Sequence, residues 1–367
     1  MVQSLCPFQM TTREMKQKDF FMDPHMTPSA LGYRMPAEWE PHKATWLAWP
    51  HDVETWPDQL AEVEAIYIEV IEYLHLDEEV HILVEDKPAQ EYVFRKLRKR
   101  GIRKNVSTHL IKTDSPWIRD YGPLFLIRKR GGLAFSKWHF NAWGRKYPFR
   151  KDNRVADELI STIRAQPFRA EMILEGGSID VNGLGACITT EQCLLNPNRN
   201  RGRGRKEIEQ YVKDFLGVRH LIWLKEGIKG DDTDGHVDEI ARFVAPRMVV
   251  CATERDPSDQ NFNSLRENYK RLCHSMDQDG SRLTIISLPM PEKLEVRRVR
   301  FPASYVNFYV ANTSVLVPVY HQKNDAVALG ILRDLFPKRN VVGIFSIPLV
   351  YGQGAIHCIT QQQPTSE

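Results

Sequence analysis

Residues 109–127 read HLIKTDSPWIRDYGPLFLI. A short apolar strand runs into a polar loop, and a second apolar strand follows. The loop carries Trp117, Arg119 and Asp120. This stretch decides the fold because its pattern returns four more times. It recurs as EMILEGGSIDVNG (171–183), HLIWLKEGIKGDDTDGHVDEIARFV (220–244), LTIISLPM with ASYVNFYVAN (283–290 and 303–312), and IFSIPLVYGQGAIHCIT (344–360). The leading strands start at His109, Glu171, His220, Leu283 and Ile344. Intervals of roughly 50 to 60 residues belong to radial or stacked arrays.

Helical patterns fill the gaps: DNRVADELISTI (152–163), KEIEQYVKDFL (206–216), NSLRENYKRLCH (263–274) and NDAVALGILRDLF (324–336). Second-strand hairpins are predicted in ACITTEQCLLNP (186–197), RFVAPRMVVCAT (242–253) and FYVANTSVLVPVY (308–320). Ahead of the first module, Leu60, Val63, Ile66, Ile68, Val70, Ile71 and Leu74 recur at helical spacing. EEVHILVED then reads as a strand, and AQEYVFRKLRKRG as a helix ending at Gly101. Five strand-rich modules with one helix each predict an α/β fold that closes into a ring, its loops converging on the axis. A doubly wound α/β sheet accounts for the same alternation and stays open. Residues 1–30 read as a disordered or loosely packed tail, and 31–367 as one folded domain.

The chain has 367 residues, 42% of them hydrophobic and 26% charged, with a net charge of +3. That balance gives no electrostatic footprint for nucleic acid or an anionic membrane. The apolar run VVGIFSIPLV (341–350) holds half of what a membrane span needs. Six cysteines, no C-x-x-C pair and no secretory h-region predict reduced thiols in a cytoplasmic protein without a structural zinc site. The arginine run NRNRGRGRK (198–206) reads as a solvated basic loop, with RNA binding as its alternative.

If the loops converge, their contents meet: Asp120, Glu175 with Gly176 and Gly177, then Asp232, Asp234, His236 and Asp238, and finally His357 and Cys358. DDTDGHVDE lacks the spacing of an EF-hand, and one histidine without a second soft ligand is a poor zinc site. Gly352 and Gly354 ahead of Cys358 suggest backbone that a ligand approaches closely. Several carboxylates around a thiol disfavour a developing oxyanion but suit a cation. A guanidinium offers five N–H donors that carboxylates grip in bidentate fashion, which presents its central carbon to a thiolate. The same cation favours the thiolate.

WIRDYGP, LEGGSIDVNG, DDTDGHVDE, YVNFYVAN and GQGAIHCITQQQP together resemble the agmatine deiminases of the guanidine-modifying pentein superfamily. EPHKATWLAWPHD, NAWGRKYPF and CLLNPNRN are similar to the same family, and the likeness runs from about Tyr33 to Pro364. Ala355 and Gln353 stand where that family often has Asn and Gly, and Asp234 and Glu239 where it often has Asn. The resemblance implies a five-bladed α/β propeller with Cys358 as nucleophile and His236 as general acid and base. It implies that Asp120 and Asp238 clamp the guanidinium, and that Glu175 holds the imidazole and helps bind the cation. It places Trp117, Gly352 and Gly354 against the substrate and calls for no metal or organic cofactor. It implies hydrolysis of agmatine to N-carbamoylputrescine and ammonia, in polyamine biosynthesis or agmatine catabolism. Peptidyl-arginine or free arginine is the alternative substrate, and an inactive guanidinium sensor the non-enzymatic one. Homo-oligomeric assembly is common among relatives. His357 reads as structural support.

Overall fold

The computed structural model describes residues 26–129 and 131–366. The expected loose tail lies, up to residue 25, outside those residues; Ser29–Leu31 forms a short 3-10 turn. The fold is mixed α/β. Among the described residues are five sheets of three or four strands and one small two-stranded sheet.

The five larger sheets share one topology. A first strand pairs antiparallel with a second, which pairs parallel with a third after a helical crossover. The triplets are Leu124–Arg128, Leu133–His139 and Gln166–Ile173, then Ile179–Val181, Ala186–Thr190 and His220–Leu224. Next come Ala241–Ala245, Met248–Thr253 and Thr284–Pro289, and then Tyr309–Val310, Ser314–Val319 and Asn340–Phe345. The fifth joins the chain's two ends. Gln361–Pro364 pairs antiparallel with His42–Ala48, which continues parallel to Glu79–Val84 and Val106–Leu110. The connections therefore run in a cycle: the last strand completes the sheet that His42–Ala48 begins, while the short first strand, Tyr33–Arg34, pairs on the edge of Leu124–Arg128.

The crossover helices follow from local sequence. Leu60–Leu74 buries Val63, Ile66, Tyr67, Val70, Ile71 and Leu74 along one stripe. Lys87–Lys99 opens on Asp86, whose carboxylate accepts the Ala89 amide at 2.9 Å, and ends on Lys96, Arg98 and Lys99, which complement the helix dipole. Arg205–Leu216 stops at Gly217 in the left-handed conformation. Phe262–His274 and Lys323–Leu335 match their patterns, the latter with a Gln322–Asp325 capping box.

Three details differ from the sequence reading. The repeat seen in sequence straddles two sheets: each leading strand is the last of one sheet, and the strand after the loop is the first of the next. The helix expected over 152–163 breaks into a 3-10 turn and two single-turn helices, Val155–Glu158 and Ile160–Ile163. The hairpin expected in 186–197 keeps only its first strand, because Thr190 caps a turn of helix at Glu191–Leu194 through the Cys193 amide. No helix among the described residues is long and apolar enough to cross a membrane.

Candidate active site

Each side chain singled out for chemistry lies on a connection between sheets. Asp120 sits in the one-turn helix Ile118–Tyr121, and Glu175 directly ahead of the turn Gly176–Ser178. His236 caps the turn Val237–Glu239, which carries Asp238. Cys358 lies three residues before the closing strand Gln361–Pro364.

Gly177 is where these loops meet. A Cβ there would stand 2.7 Å from His236 Nδ1, 2.8 Å from Asp120 Oδ1 and 2.9 Å from Asp238 Oδ2. No side chain larger than hydrogen fits among those three groups. The Gly177 amide donates to Asp120 Oδ1 at 2.9 Å, and the Trp143 indole donates to Oδ2 at 2.8 Å. His236 Nδ1 lies 3.7 Å from Asp120 Oδ1, and its Nε2 lies 4.0 Å from Glu175 Oε2. Glu175 is held in turn by Arg199, whose Nε donates at 2.6 Å.

Around the thiol, Cys358 Sγ is 3.9 Å from Asp238 Oδ2 and 3.3 Å from Asn307 Nδ2. Asn307 Oδ1 accepts the His357 amide at 3.0 Å and lies 3.5 Å from the sulfur, so both ends of that side-chain amide border the thiol. His357 does not approach the thiol chemistry. It bridges two acids, with Nδ1 2.7 Å from Asp238 Oδ2 and Nε2 2.9 Å from Glu38 Oε2. Arg119 makes no hydrogen bond with its neighbour Asp120. It turns away to Gln362 Oε1 at 2.7 Å and Glu38 Oε2 at 3.3 Å.

The glycines before Cys358 have a different occupant from the one expected. Neither has a positive φ; the left-handed residue is Gln353, at φ 75°. A Cβ on Gly354 would stand 2.5 Å from the Trp117 ring, and one on Gly352 would enter the Trp56 ring. The two tryptophans pack on each other at 5.6 Å. The glycines thus seat a buried aromatic pair, and Trp117 presses on the nucleophile loop three residues from Asp120.

Burial dominates the electrostatics. It pushes the Cys358 thiol well up, reinforced by Asp238, Glu239 and Asp120. It pushes the Asp120 carboxyl up to about 7, with Glu175 adding to the shift and the Trp143 and Gly177 donors opposing it. Asp238 is raised well above the carboxylate range by burial and by Asp120. Burial and the Arg199 guanidinium hold the His236 imidazole well down. These shifts all disfavour the charged forms of thiol, imidazole and acids, a balance that a cation among them would reorganise. Glu38 differs. Burial pushes it up, but Arg242, His357 and Arg119 outweigh that and hold it well below the usual range.

Several of these groups carried no signal in sequence. Glu38 is one of two glutamates in AEWEP, and Asn307 follows the charged stretch PEKLEVRRVR (291–300), in which no group stood out for chemistry. Trp143 and Arg199 lie in NAWGRKYPF and CLLNPNRN, which were legible as motifs but not as contacts. Asp234 pairs with Arg199 at 2.5 Å and with Lys146 at 3.0 Å, and Asp232 accepts from the Tyr147 hydroxyl at 2.5 Å. Both acids brace the loop.

The Porphyromonas-type peptidyl-arginine deiminase family profile matches residues 34–364. The chain is 35% identical to the agmatine deiminase of Pseudomonas aeruginosa strain LESB58 over 366 residues, covering 93% of this chain and 98% of that protein. It is equally similar to the agmatine deiminase of Ectopseudomonas mendocina strain ymp, 35% over 365 residues, covering 93% and 98%. The solved structure of the agmatine deiminase of Enterococcus faecalis superposes with a TM-score of 0.86 at 32% identity, covering 93% of this chain and 98% of that one.

Proposed function

The chain belongs to the Porphyromonas-type peptidyl-arginine deiminase family, and from that premise we propose that it hydrolyses agmatine to N-carbamoylputrescine and ammonia. The observation that carries this reading is the convergence on Gly177 of His236, Asp120 and Asp238, with Cys358 Sγ 3.9 Å from Asp238. Full-length likeness to agmatine deiminases supports that substrate over an arginine.

The guanidinium enters between Asp120 and Asp238, and its charge draws protons off the acids and the thiol. The Cys358 proton passes to His236, whose imidazolium Asp120 and Glu175 then stabilise. The thiolate attacks the guanidinium carbon and forms a neutral tetrahedral adduct. His236 returns the proton to one NH2 group, the C–N bond breaks, and ammonia leaves a thiouronium cation on Cys358. Neutral His236 then takes a proton from water as the oxygen adds to the same carbon. Collapse breaks the C–S bond and releases the ureido product; of the hydroxyl proton and the one on His236, one returns to the Cys358 sulfur and the other passes to solvent. Asn307 Nδ2, aimed at the sulfur, stabilises the thiolate at both ends of the cycle. Trp117 walls the methylene chain, and Gly352 and Gly354 let that wall close. No metal or organic cofactor enters this scheme.

The same reading sets the five sheets as blades of an α/β propeller, with residues 31–367 as one catalytic domain and the connections at the axis. The partner is a small cation rather than nucleic acid or a membrane, in polyamine biosynthesis or agmatine catabolism. The unpaired cysteines Cys187, Cys193, Cys251, Cys273 and Cys358 suit a cytoplasmic setting.

Ammonia release is measured side by side with agmatine, arginine and a peptide ending in arginine, with Cys358→Ser as control. Release from agmatine alone, lost in the variant, is expected. Release from the peptide or from free arginine instead overturns the substrate and keeps the chemistry.

A further inference from the structure

Three consecutive polar positions of one loop hold buried atoms without a hydrogen-bond partner: His236 Nε2, Asp238 Oδ1 and Glu239 Oε2. All three residues are buried. A buried, unmatched polar atom costs about 1–3 kcal/mol, and more when charged. His236 and Asp238 have roles in the scheme above, whereas Glu239 has none. Its side-chain oxygen, that of Asp238 and Cys358 Sγ all lie within 4.8 Å of one another.

We propose that Glu239 is a third substrate-binding acid, whose free Oε2 accepts an N–H from the guanidinium nitrogen beside Cys358. The proposal rests on the deiminase reading of the site. Attack brings the guanidinium carbon to about 3–3.5 Å from the sulfur. Its nitrogens stand about 1.3 Å from that carbon. A carboxylate oxygen within 4.8 Å of the sulfur can then meet one of them at hydrogen-bond distance. Asp238 Oδ1 is likewise without a partner, while its Oδ2 is engaged by His357.

The groups facing Glu239 are the carboxyls of Asp238 and Asp231, the thiol of Cys358 and the hydroxyl of Tyr320. None is a cation. Burial, then Asp238 and Asp231, pushes the Glu239 carboxyl well up, which disfavours its charged form. An arriving cation reverses that preference.

The test uses Glu239→Ala and Glu239→Gln in the Cys358→Ser protein. Binding of agmatine and guanidinium ion is read by calorimetry, and melting temperature alongside. The expected result is binding of agmatine and guanidinium weakened roughly tenfold or more in Glu239→Ala and less in Glu239→Gln, which keeps an acceptor. The melting temperature holds or rises because an unmatched acid is gone. Unchanged binding in the folded variants overturns the proposal. So does failure of both variants to fold, which would assign Glu239 to the framework. An otherwise wild-type enzyme that releases no ammonia from agmatine, while Glu239→Ala still weakens guanidinium binding, would count against the deiminase reading alone.

Discussion

The indole nitrogen of Trp143 donates to Oδ2 of Asp120 at 2.8 Å from a stretch of left-handed backbone. Ala142, Trp143, Gly144 and Arg145 all have positive φ, at 51°, 52°, 100° and 67°. Left-handed conformation costs a residue other than glycine about 1–2 kcal/mol. That cost persists only where surrounding contacts impose it. Here Asn141 caps the turn through the Gly144 amide at 3.0 Å, and Lys146 and Tyr147 grip the 231–238 loop. The turn fixes the orientation of a carboxylate that the proposed chemistry needs ionised.

Trp143→Phe keeps the ring and removes the donor. A hydrogen bond to a carboxylate favours its charged form, so losing it raises a pKa already near 7. The acid limb of kcat/KM is expected to move to higher pH, with a roughly tenfold loss at neutral pH. A pH–rate profile that superposes on the parent's would remove Trp143 from this role.

Gly177→Ala places a methyl group within 3 Å of three polar atoms. Overpacking costs about 1–3 kcal/mol, and displacing aligned groups costs rate as well. Activity is expected to fall by about two orders of magnitude while the protein still folds. Near-parental activity in this variant would mean that His236, Asp120 and Asp238 need not converge there.

Glu38→Gln tests the support beneath the site. Glu38 meets Arg242 at 2.7 Å, Arg119 at 3.3 Å and His357 at 2.9 Å. Its folded pKa is depressed, so its stabilisation is present above the unfolded glutamate pKa and is lost as pH falls through the folded value. Removing one charge from a buried network costs about 3–5 kcal/mol. Denaturant unfolding at neutral pH should show that loss, and the gap between variant and parent should narrow in acid. A gap that widened in acid would contradict the sign.

Gln353→Gly removes a left-handed side chain whose Oε1 is buried without a partner. The gain is offset in part by the entropy of glycine in the unfolded chain. A net stabilisation of about 0.5–1 kcal/mol is expected from thermal melts. A destabilised variant would show that the Gln353 side chain holds the loop in a way its geometry does not reveal.

The repeat was legible because strands and amphipathic helices have different periods, and every crossover helix but one follows its pattern. The exception, 152–163, places Val155, Leu159 and Ile163 four residues apart, as one stripe requires, so its break at Leu159 is not written in that spacing. The sheets were mis-framed because a strand–loop–strand motif in sequence is not a paired unit: the loops that carry chemistry join neighbouring sheets. The acids, imidazole and thiol were visible because their types are costly to bury without purpose. Glu38, Asn307 and Trp143 were not, since each acts through a contact between residues far apart in sequence. Gly352 and Gly354 were visible as unusual, but their neighbours, Trp56 and Trp117, were not.

The most direct measurement is a rapid acid quench of the wild-type enzyme turning over agmatine, followed by peptide mass analysis. The account predicts a species heavier by agmatine less ammonia, confined to the peptide that contains Cys358. Ureido product accumulating with no adduct on Cys358 at any quench time would contradict it.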